Sequence, residues 1–147
     1  IDPAQIEEAL MGHASVAFAG AIGQPDVHSG ELPCVYVELV ADGEVTPDKL
    51  KAFCEEHVPE RAAHPKYVEI LDELPKTAVG KVFKPDLRKR AIIRIFNEAL
   101  SDAGLQASVV EVRDDKQLGL IACVASEASD SEITAVLGGF ANTWRRA

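Results

Sequence analysis

The segment that decides the fold of this chain is LDELPKTAVGK, residues 71–81. Gly80 tolerates backbone angles that other residues avoid, so the chain is predicted to turn sharply there. Lys81 follows directly, and its compact ammonium group on a flexible stem suits contact with a phosphate or with developing negative charge. A Gly-Lys pair alone is weak support for that role, because an exposed loop lysine is the ordinary outcome. We predict a hairpin or an ordered loop over residues 74–83.

Regular structure is predicted on both sides of this loop. Residues 67–71 have the character of a short strand, and Pro85 opens a long helix that runs to about Ala103. Gly104 is placed to cap the end of that helix, because glycine adopts the left-handed conformation at little cost. The loop is therefore expected between a strand and a long helix.

Four further elements are predicted before residue 67. Their boundaries follow from capping residues, β-branched runs and turn residues. They are a helix capped by Asp2 with Pro3 at its first position, a strand over residues 15–22 ended by a turn at residues 23–26, a strand over residues 34–40, and a helix capped by Thr46.

The chain after Gly104 predicts two more strands and a last helix. The strands span residues 107–112 and 118–124. Ser129 and Glu132 form a capping box ahead of the helix, and apolar residues then keep helical spacing from Ile133 to Trp144. Nothing in the sequence accounts for Gly138-Gly139 inside that helix.

These elements together indicate the α+β class. We expect a small mixed β-sheet with flanking helices, plus a C-terminal helix–β–β–helix extension. The domain is predicted over residues 1–91 and the extension, packed on it, over residues 92–147. The extension is most simply extra packing or an oligomer contact, since no motif within it indicates a ligand.

Composition and charge exclude several classes of protein. The net charge of −9 disfavours non-specific binding to nucleic acid or to anionic membranes. Seven of the 15 basic residues lie between Lys76 and Arg94, and they form either a solvated helix face or a local positive field for phosphates. Three scattered cysteines indicate reduced thiols and a cytoplasmic protein. A start at Ile1 without methionine indicates a fragment of a longer polypeptide.

A metal site is most easily drawn from Cys54, His57 and His64. Cys54 and His57 share a helix face at a spacing of three residues. A structural zinc site needs four ligands, however, and no second pair follows in the sequence. We expect no metal site and interpret Cys54 and His57 as residues on the core side of their helix.

Four motifs follow one another along the chain, at residues 2–7, 22–31, 75–81 and 87–88. In this order they resemble the C-terminal domain of the acyl-CoA synthetase or adenylate-forming (AMP-binding) enzyme superfamily. Residues 75–81 read Pro-Lys-Thr-Ala-Val-Gly-Lys, similar to the family's Pro-x-Thr-x-x-Gly-Lys. Residues 2–7 resemble the helix after the family's interdomain hinge, and residues 22–31 resemble its Gly-x-Pro-Asp…Gly-Glu turn. Leu87-Arg88 matches the Leu-Arg that closes the domain. The resemblance covers about the first 90 residues.

The resemblance implies the lid of an ATP-dependent acid–thiol ligase, that is, an AMP-forming acyl-CoA synthetase for a fatty or related carboxylic acid. Such an enzyme joins a carboxylate to the AMP part of ATP with release of pyrophosphate. It then passes the acyl group to the thiol of CoA. ATP, CoA and Mg²⁺ would be held mainly by an N-terminal domain, which is the expected partner of the lid. The fragment alone is therefore expected to be inactive.

The family pattern gives the catalytic role to Lys81, which would contact carboxylate and phosphate oxygens during adenylation. Gly80 and Thr77 of the same motif are expected to take part in cofactor binding. The enzyme's lid would then swing so that another of its faces meets the active site for thioester formation.

The chain departs from the family at Ala62-Ala63, where many members carry Tyr-Lys. The lysine that would contact a phosphate of CoA in those members is therefore absent from this chain. Arg61 or Lys66 either takes over the contact or is an ordinary surface charge, and the sequence leaves both readings open.

Two other functions stay open at this point. The chain could be the lid of an adenylation domain that loads a carrier protein, although no carrier domain follows Trp144. It could also be a non-catalytic interaction module, although such a module has no need of the Gly80-Lys81 pair.

Overall fold

The computed structural model describes residues 2–147. Among these residues, five α-helices or β-strands precede residue 71 and five follow it. They are α1 (Pro3–Met11), β1 (Val16–Asp26), β2 (Gly30–Leu39), α2 (Pro47–His57), β3 (Tyr67–Ile70), α3 (Lys84–Asp102), β4 (Ala107–Asp115), β5 (Gly119–Ser126), α4 (Asp130–Leu137) and β6 (Thr143–Arg146). The predicted α+β class is confirmed. Among the described residues, no helix combines the length and the apolar character needed to cross a membrane.

The first sheet has the strand order β1-β2-β3. β2 and β3 run parallel, with Cys34 opposite Tyr67 and Val37 opposite Ile70. The core against this sheet combines residues of α1 and α2 with residues of the strands, listed here: Ile6, Leu10, Val16, Ala21, Val35, Val37, Leu50, Cys54 and Val68. The strand–loop–helix order places the segment 71–83 directly after β3.

The predicted caps of α1 and α2 are confirmed. Asp2 Oδ1 accepts a hydrogen bond from the Ala4 N–H at 3.0 Å, and Thr46 Oγ1 accepts one from the Lys49 N–H at 3.2 Å. Each cap of this kind stabilises its helix by about 1 kcal/mol. The start of both helices is therefore dictated locally.

The predicted turn at residues 23–26 is wrong, because β1 continues to Asp26. β1 is an edge strand, and an edge strand tolerates Pro25, which has no N–H to donate. The chain reverses after Asp26 instead. There the Asp26 carboxylate accepts hydrogen bonds from the N–H groups of His28 (3.2 Å) and Ser29 (2.8 Å).

The second sheet has the order β4-β5-β6. β4 and β5 pair antiparallel with a bulge between Val109 and Glu111, whereas β5 and β6 run parallel and are connected through α4. The buried residues against this sheet come from α3, α4 and the strands: Ile92, Phe96, Leu100, Val109, Val112, Ala122, Val124, Ile133 and Leu137. The Ser129–Glu132 capping box before α4 is confirmed.

The last helix is shorter than the periodicity from Ile133 to Trp144 predicts. It ends at Leu137, and residues 143–146 form the strand β6. Trp144 still packs on the same core, and its Nε1 donates to Thr134 Oγ1 at 3.3 Å. Helical spacing was misleading here because both arrangements place the tryptophan on the same core. A longer helix would have done so, and the strand β6 does so in the structure. The extension is therefore helix–β–β–helix–β.

The chain divides into two compact units. One contains the residues up to Gly23 together with Leu32–Arg88, and the other contains Gln24–Glu31 together with Lys89–Ala147. Within the second unit, a β-carbon on Gly139 would lie 3.2 Å from Val27 Cγ1, which gives this glycine a packing role. The functional division into a domain over residues 1–91 and an extension over residues 92–147 stays a prediction.

Candidate functional site

The loop of residues 74–83, called here the Lys81 loop, is an ordered turn closed by its own backbone. Lys76 and Val82 form an antiparallel bridge across its base. The Thr77 N–H donates to the Lys81 carbonyl oxygen at 2.7 Å, and the Gly80 N–H donates to the Thr77 carbonyl oxygen at 2.9 Å. The loop is therefore a short hairpin rather than a flexible connection.

Thr77 organises the turn with its side chain as well. Its Oγ1 accepts a hydrogen bond from the Lys81 N–H at 3.2 Å. The threonine of the motif thus holds the backbone of the lysine in place, which is a structural role. Its part in cofactor binding stays a prediction.

Gly80 is required for its backbone conformation. Its φ angle is 83°, in the left-handed region where a side chain costs roughly 1–2 kcal/mol. A β-carbon placed there would meet no atom within 4 Å. The need for glycine in this structure is thus conformational, and the open space beside it is available to a ligand.

Lys81 stands out because its ammonium group has no partner within residues 2–147. The side chain is exposed, and no hydrogen bond or ion pair engages its Nζ in that part of the chain. Neighbouring Val79 is 81% exposed at the tip of the turn. The loop therefore presents one free cation to whatever faces it.

The other lysines near the loop are neutralised by acids. Lys76 Nζ lies 2.7 Å from Glu38 Oε1 and 4.4 Å from the centre of the Phe18 ring. Lys84 Nζ lies 2.8 Å from Glu7 Oε2. The idea that the whole basic run forms a positive field for phosphates is therefore not supported, since these two charges are already paired.

Glu38 fixes the first arm of the loop, residues 74–76. The same oxygen that meets Lys76 also accepts the Leu74 N–H at 2.9 Å. The hydrogen bond from the Lys76 ammonium holds the pKa of the Glu38 carboxyl below its ordinary value, and the Leu74 N–H acts in the same direction. Glu38 is thus an ionised anchor for this arm.

The second arm, residues 82–84, packs on β1 and α1. A β-carbon on Gly20 of β1 would lie 2.9 Å from Val82 Cγ1, so the absence of a side chain there makes room for this arm. Glu7 Oε2 of α1, which meets Lys84, also accepts the Ala21 N–H at 2.9 Å. Both arms are thus attached to the first sheet and its helices.

Sequence reasoning missed Glu7, Gly20 and Glu38, although Glu38 and Gly20 each carried a usable signal. It is a lone charged residue in the apolar run of residues 34–40. A carboxylate in a mostly buried strand requires a hydrogen-bonding or ionic partner. Gly20 interrupts the predicted strand of residues 15–22, and a glycine inside a strand often marks a close approach of another part of the chain. Glu7 does not depart from its local pattern, so its role emerges only from tertiary contacts.

Arg61 and Lys66 lie apart from the hydrogen-bond network of the loop. Arg61 begins a short 3₁₀ turn over Arg61–Ala63, and Lys66 directly precedes β3. Both side chains are exposed, and within residues 2–147 neither forms a hydrogen bond or ion pair with the Lys81 loop. Ala63, which was expected at the position of the family's lysine, is 2% exposed.

The residues of the rejected metal site are engaged elsewhere. Burial raises the pKa of the Cys54 thiol to about 11, which keeps it protonated. Cys54 is buried as predicted, but His57 is exposed, so its predicted place on the core side of the helix is wrong. His57 Nδ1 lies 2.9 Å from the Phe53 carbonyl oxygen, and His64 Nε2 lies 2.7 Å from the Val58 carbonyl oxygen. In the described part of the chain, no three His, Cys, Asp or Glu side chains are arranged to hold a metal ion.

A surface groove of about 700 Å³ lies between α1 and α2, away from the loop residues named above. Its lining combines acidic and aromatic side chains: Gln5, Glu8, Ala9, Gly12, Phe53, His57, Val58, Pro59 and Glu60. None of the predicted site residues belongs to it.

Comparison with known proteins gives a consistent result. The model of the AMP-binding enzyme C-terminal domain matches residues 5–81, which is about half of the chain and ends at Lys81. A marinolic acid–CoA ligase from Pseudoalteromonas sp. (strain SANK 73390) is 37% identical over 138 residues, which are 92% of this chain and 21% of that protein. That match therefore includes most of the residues after 91.

Other matches cover the first part of the chain. A 2-succinylbenzoate–CoA ligase from Bacillus cereus (strain Q1) is 42% identical over 89 residues, which are 60% of this chain and 18% of that protein. The structure of the amide bond synthetase McbA from Marinactinospora thermotolerans superposes with a TM-score of 0.54 at 30% identity, over 60% of this chain and 18% of that one. The chain thus spans about a fifth of the length of the curated relatives it matches.

Proposed function

The chain belongs to the family of AMP-binding enzyme C-terminal domains, and from that premise we propose that it is the lid of an ATP-dependent acid–CoA ligase. In the proposed reaction a carboxylate oxygen attacks the α-phosphorus of ATP, and the bond to pyrophosphate breaks. The thiol of CoA then attacks the acyl carbon of the adenylate, and AMP leaves. Support comes from the names of the two curated relatives, both CoA ligases.

The observation that carries this proposal is the free ammonium group of Lys81 at the end of an ordered turn. Lys76 and Lys84, its basic neighbours in the loop region, are each held by a carboxylate. A positive charge carried on an ordered turn offsets negative charge that develops on carboxylate and phosphate oxygens during adenylation. Lys81 is thus proposed as the catalytic residue, with Gly80 and Thr77 shaping the turn against the nucleotide.

The nucleotide fits the residues present, whereas Mg²⁺ would be held elsewhere. An ammonium group beside an open glycine offers a donor and space for phosphate oxygens. Mg²⁺, which neutralises charge on the phosphates of ATP when bound, would take its ligands from the remainder of the enzyme. The described residues contain no cluster of acidic, His or Cys side chains for it.

Arg61 and Lys66 are proposed to meet a phosphate of CoA in the second half-reaction. Both are exposed, and neither takes part in the hydrogen bonds of the Lys81 loop. A role in thioester formation rather than in adenylation agrees with a lid that presents different faces in the two steps. The acid itself, proposed to be a fatty or related carboxylic acid, would be selected by the remainder of the enzyme.

The test compares two half-reactions in the longer ligase that carries this chain. Lys81→Ala is expected to lower carboxylate-dependent release of pyrophosphate by about 10²–10³-fold, the usual effect of removing one charge-stabilising donor. Thioester formation from a synthetic acyl-adenylate should stay close to the wild-type rate, because adenylation is already complete. Loss of neither activity would refute the role of Lys81.

Lys116 supplies the matched control for this experiment. It is an exposed lysine in the turn between β4 and β5, three residues before a glycine with a φ angle of 78°. Lys116→Ala removes an equal charge from a similar turn and should leave both half-reactions unchanged.

A further inference from the structure

The direction of Lys81 depends on contacts made outside its turn. Residues 78–81 are all exposed, so the turn gains little from packing. Its internal hydrogen bonds fix its shape, but they do not fix where the turn points. Orientation must come from the two arms that attach it to the sheet.

The first arm is attached by the buried Leu74 side chain, which is 1% exposed, and by one carboxylate. Glu38 Oε1 meets the Leu74 N–H at 2.9 Å and Lys76 Nζ at 2.7 Å, so a single oxygen holds two residues of the arm. Its side chain is 17% exposed and that of Lys76 20%. Water competes less at such partly buried sites than at the surface, which makes the contact directional.

The bridge at the base of the loop transmits this attachment to the turn. Lys76 is the residue that pairs with Val82, and Val82 is adjacent to Lys81. A shift of Lys76 therefore moves the paired strand and the ammonium group with it. Lys76 also lies over the Phe18 ring, 4.4 Å from its centre, which limits the directions in which it can move while Glu38 holds it.

We propose that Glu38 is a positioning residue for Lys81: its contacts with Leu74 and Lys76 set the direction in which the Lys81 loop presents its ammonium group. The proposal rests on the adenylation function given above. Glu38 touches neither the nucleotide nor the acid. It acts through the first arm, and its effect is confined to the half-reaction that needs Lys81.

Three substitutions test this with different chemistry at the same contact. Glu38→Gln keeps an oxygen for the Leu74 N–H but removes the charge, Glu38→Ala removes both contacts, and Lys76→Met removes the ammonium partner while keeping an apolar stem over Phe18. Asp114→Asn is the control, since it removes an ion pair of 2.8 Å with Lys89 that does not involve the loop.

The measurement is the kcat and KM of each half-reaction in the longer ligase, beside the thermal midpoint of each variant. Displacement of a reacting group by about 1 Å costs up to roughly 10²-fold in rate. We expect Glu38→Ala to lower the kcat of adenylation by about 10–100-fold, with KM for ATP changed by less than about 3-fold. Glu38→Gln and Lys76→Met should both lower the kcat of adenylation, by a smaller factor than Glu38→Ala does. Thioester formation from acyl-adenylate should stay within about 3-fold of wild type in all of them.

The outcomes separate this proposal from the function on which it rests. A structural role alone would lower both half-reactions together with the thermal midpoint, and that result would overturn the proposal. The proposal would also be overturned if the Glu38 variants kept the wild-type rate of adenylation while Lys81→Ala lost it. In that case the proposed function of Lys81 would still stand. Unchanged adenylation in Lys81→Ala would instead remove the proposed function. If Glu38→Ala does not fold, Glu38→Gln and Lys76→Met decide by the same criteria.

Discussion

Leu87 occupies the space that a side chain on Gly20 would need: a β-carbon on Gly20 would lie 2.6 Å from Leu87 Cδ1. Leu87 is 1% exposed, so it has little room to withdraw. The contact joins the first turns of α3 to β1, directly after the Lys81 loop. The glycine is thus part of the packing that carries the second arm of the loop.

Gly20→Ala is expected to destabilise the protein by about 1–3 kcal/mol, the usual cost of overpacking a close contact. Urea unfolding of the chain measures this. In the background of Leu87→Ala the same change should cost less, because the nearest clashing atom is gone, although Val82 Cγ1 at 2.9 Å remains. Equal costs in both backgrounds would show that Leu87 is not the obstacle.

Gly80→Ala should lower stability by roughly 1–2 kcal/mol through backbone strain alone. Its φ angle is 83°, and no neighbouring atom blocks a β-carbon. Because the strained turn carries Lys81, adenylation by the longer ligase is expected to fall as well, by about 10-fold or more.

Gly119→Ala is the matched control for that experiment. Gly119 has a φ angle of 78° and equally open surroundings, but it lies at the start of β5. It should show the same loss of stability with no change in either half-reaction. If both alanine variants lost adenylation equally, the effect would reflect stability and not the geometry of the loop.

Boundaries set by local chemistry could be predicted from the sequence. Asp2, Thr46 and Ser129 each cap the helix that was expected from them, since a cap involves residues only two or three positions apart. The errors arose where tertiary pairing prevails. Pro25 is typical of a turn but lies in an edge strand. The helical spacing of apolar residues continues to Trp144, although residues 143–146 form a strand.

The candidate site divides in the same way. Lys81 and Gly80 could be identified because the motif is contiguous, and Gly80 has the conformation that the turn requires. The residues that hold this turn in place are 36 or more positions from it in sequence, as with Glu38 and Leu74. Such partners become visible only when β2 and the loop are brought together.

The three cysteines should be unreactive in the folded protein. Cys34, Cys54 and Cys123 are all buried, and burial raises the pKa of the Cys54 thiol to about 11. Because the thiolate is the reactive form, a disulfide reagent at about pH 8 should modify none of them rapidly in the native chain. All three should react in denaturant. Fast reaction of one thiol in the native state would contradict the buried position of that cysteine.

The stabilisation provided by Glu38 should depend on pH in a definite direction. The hydrogen bond from Lys76 holds the pKa of the Glu38 carboxyl below the ordinary value of 4.5 in the folded state. Above 4.5 the group is ionised whether the chain is folded or unfolded, so its full contribution is present. As the pH falls below 4.5 the unfolded chain takes up the proton first, and the contribution is lost progressively through the lower, folded pKa.

Asp26 and Asp115 also have lowered pKa values, because backbone N–H groups donate to them, so the wild-type chain alone cannot isolate Glu38. The informative quantity is the difference in the free energy of unfolding between wild type and Glu38→Gln. We expect a difference on the order of 1 kcal/mol at neutral pH. It should shrink as urea unfolding is repeated from about pH 5 down to about pH 3. A difference that does not shrink over that range would contradict a stabilising role for the Glu38 charge. A difference near zero at every pH would mean that its oxygen acts only as the acceptor for Leu74, a contact that Gln keeps.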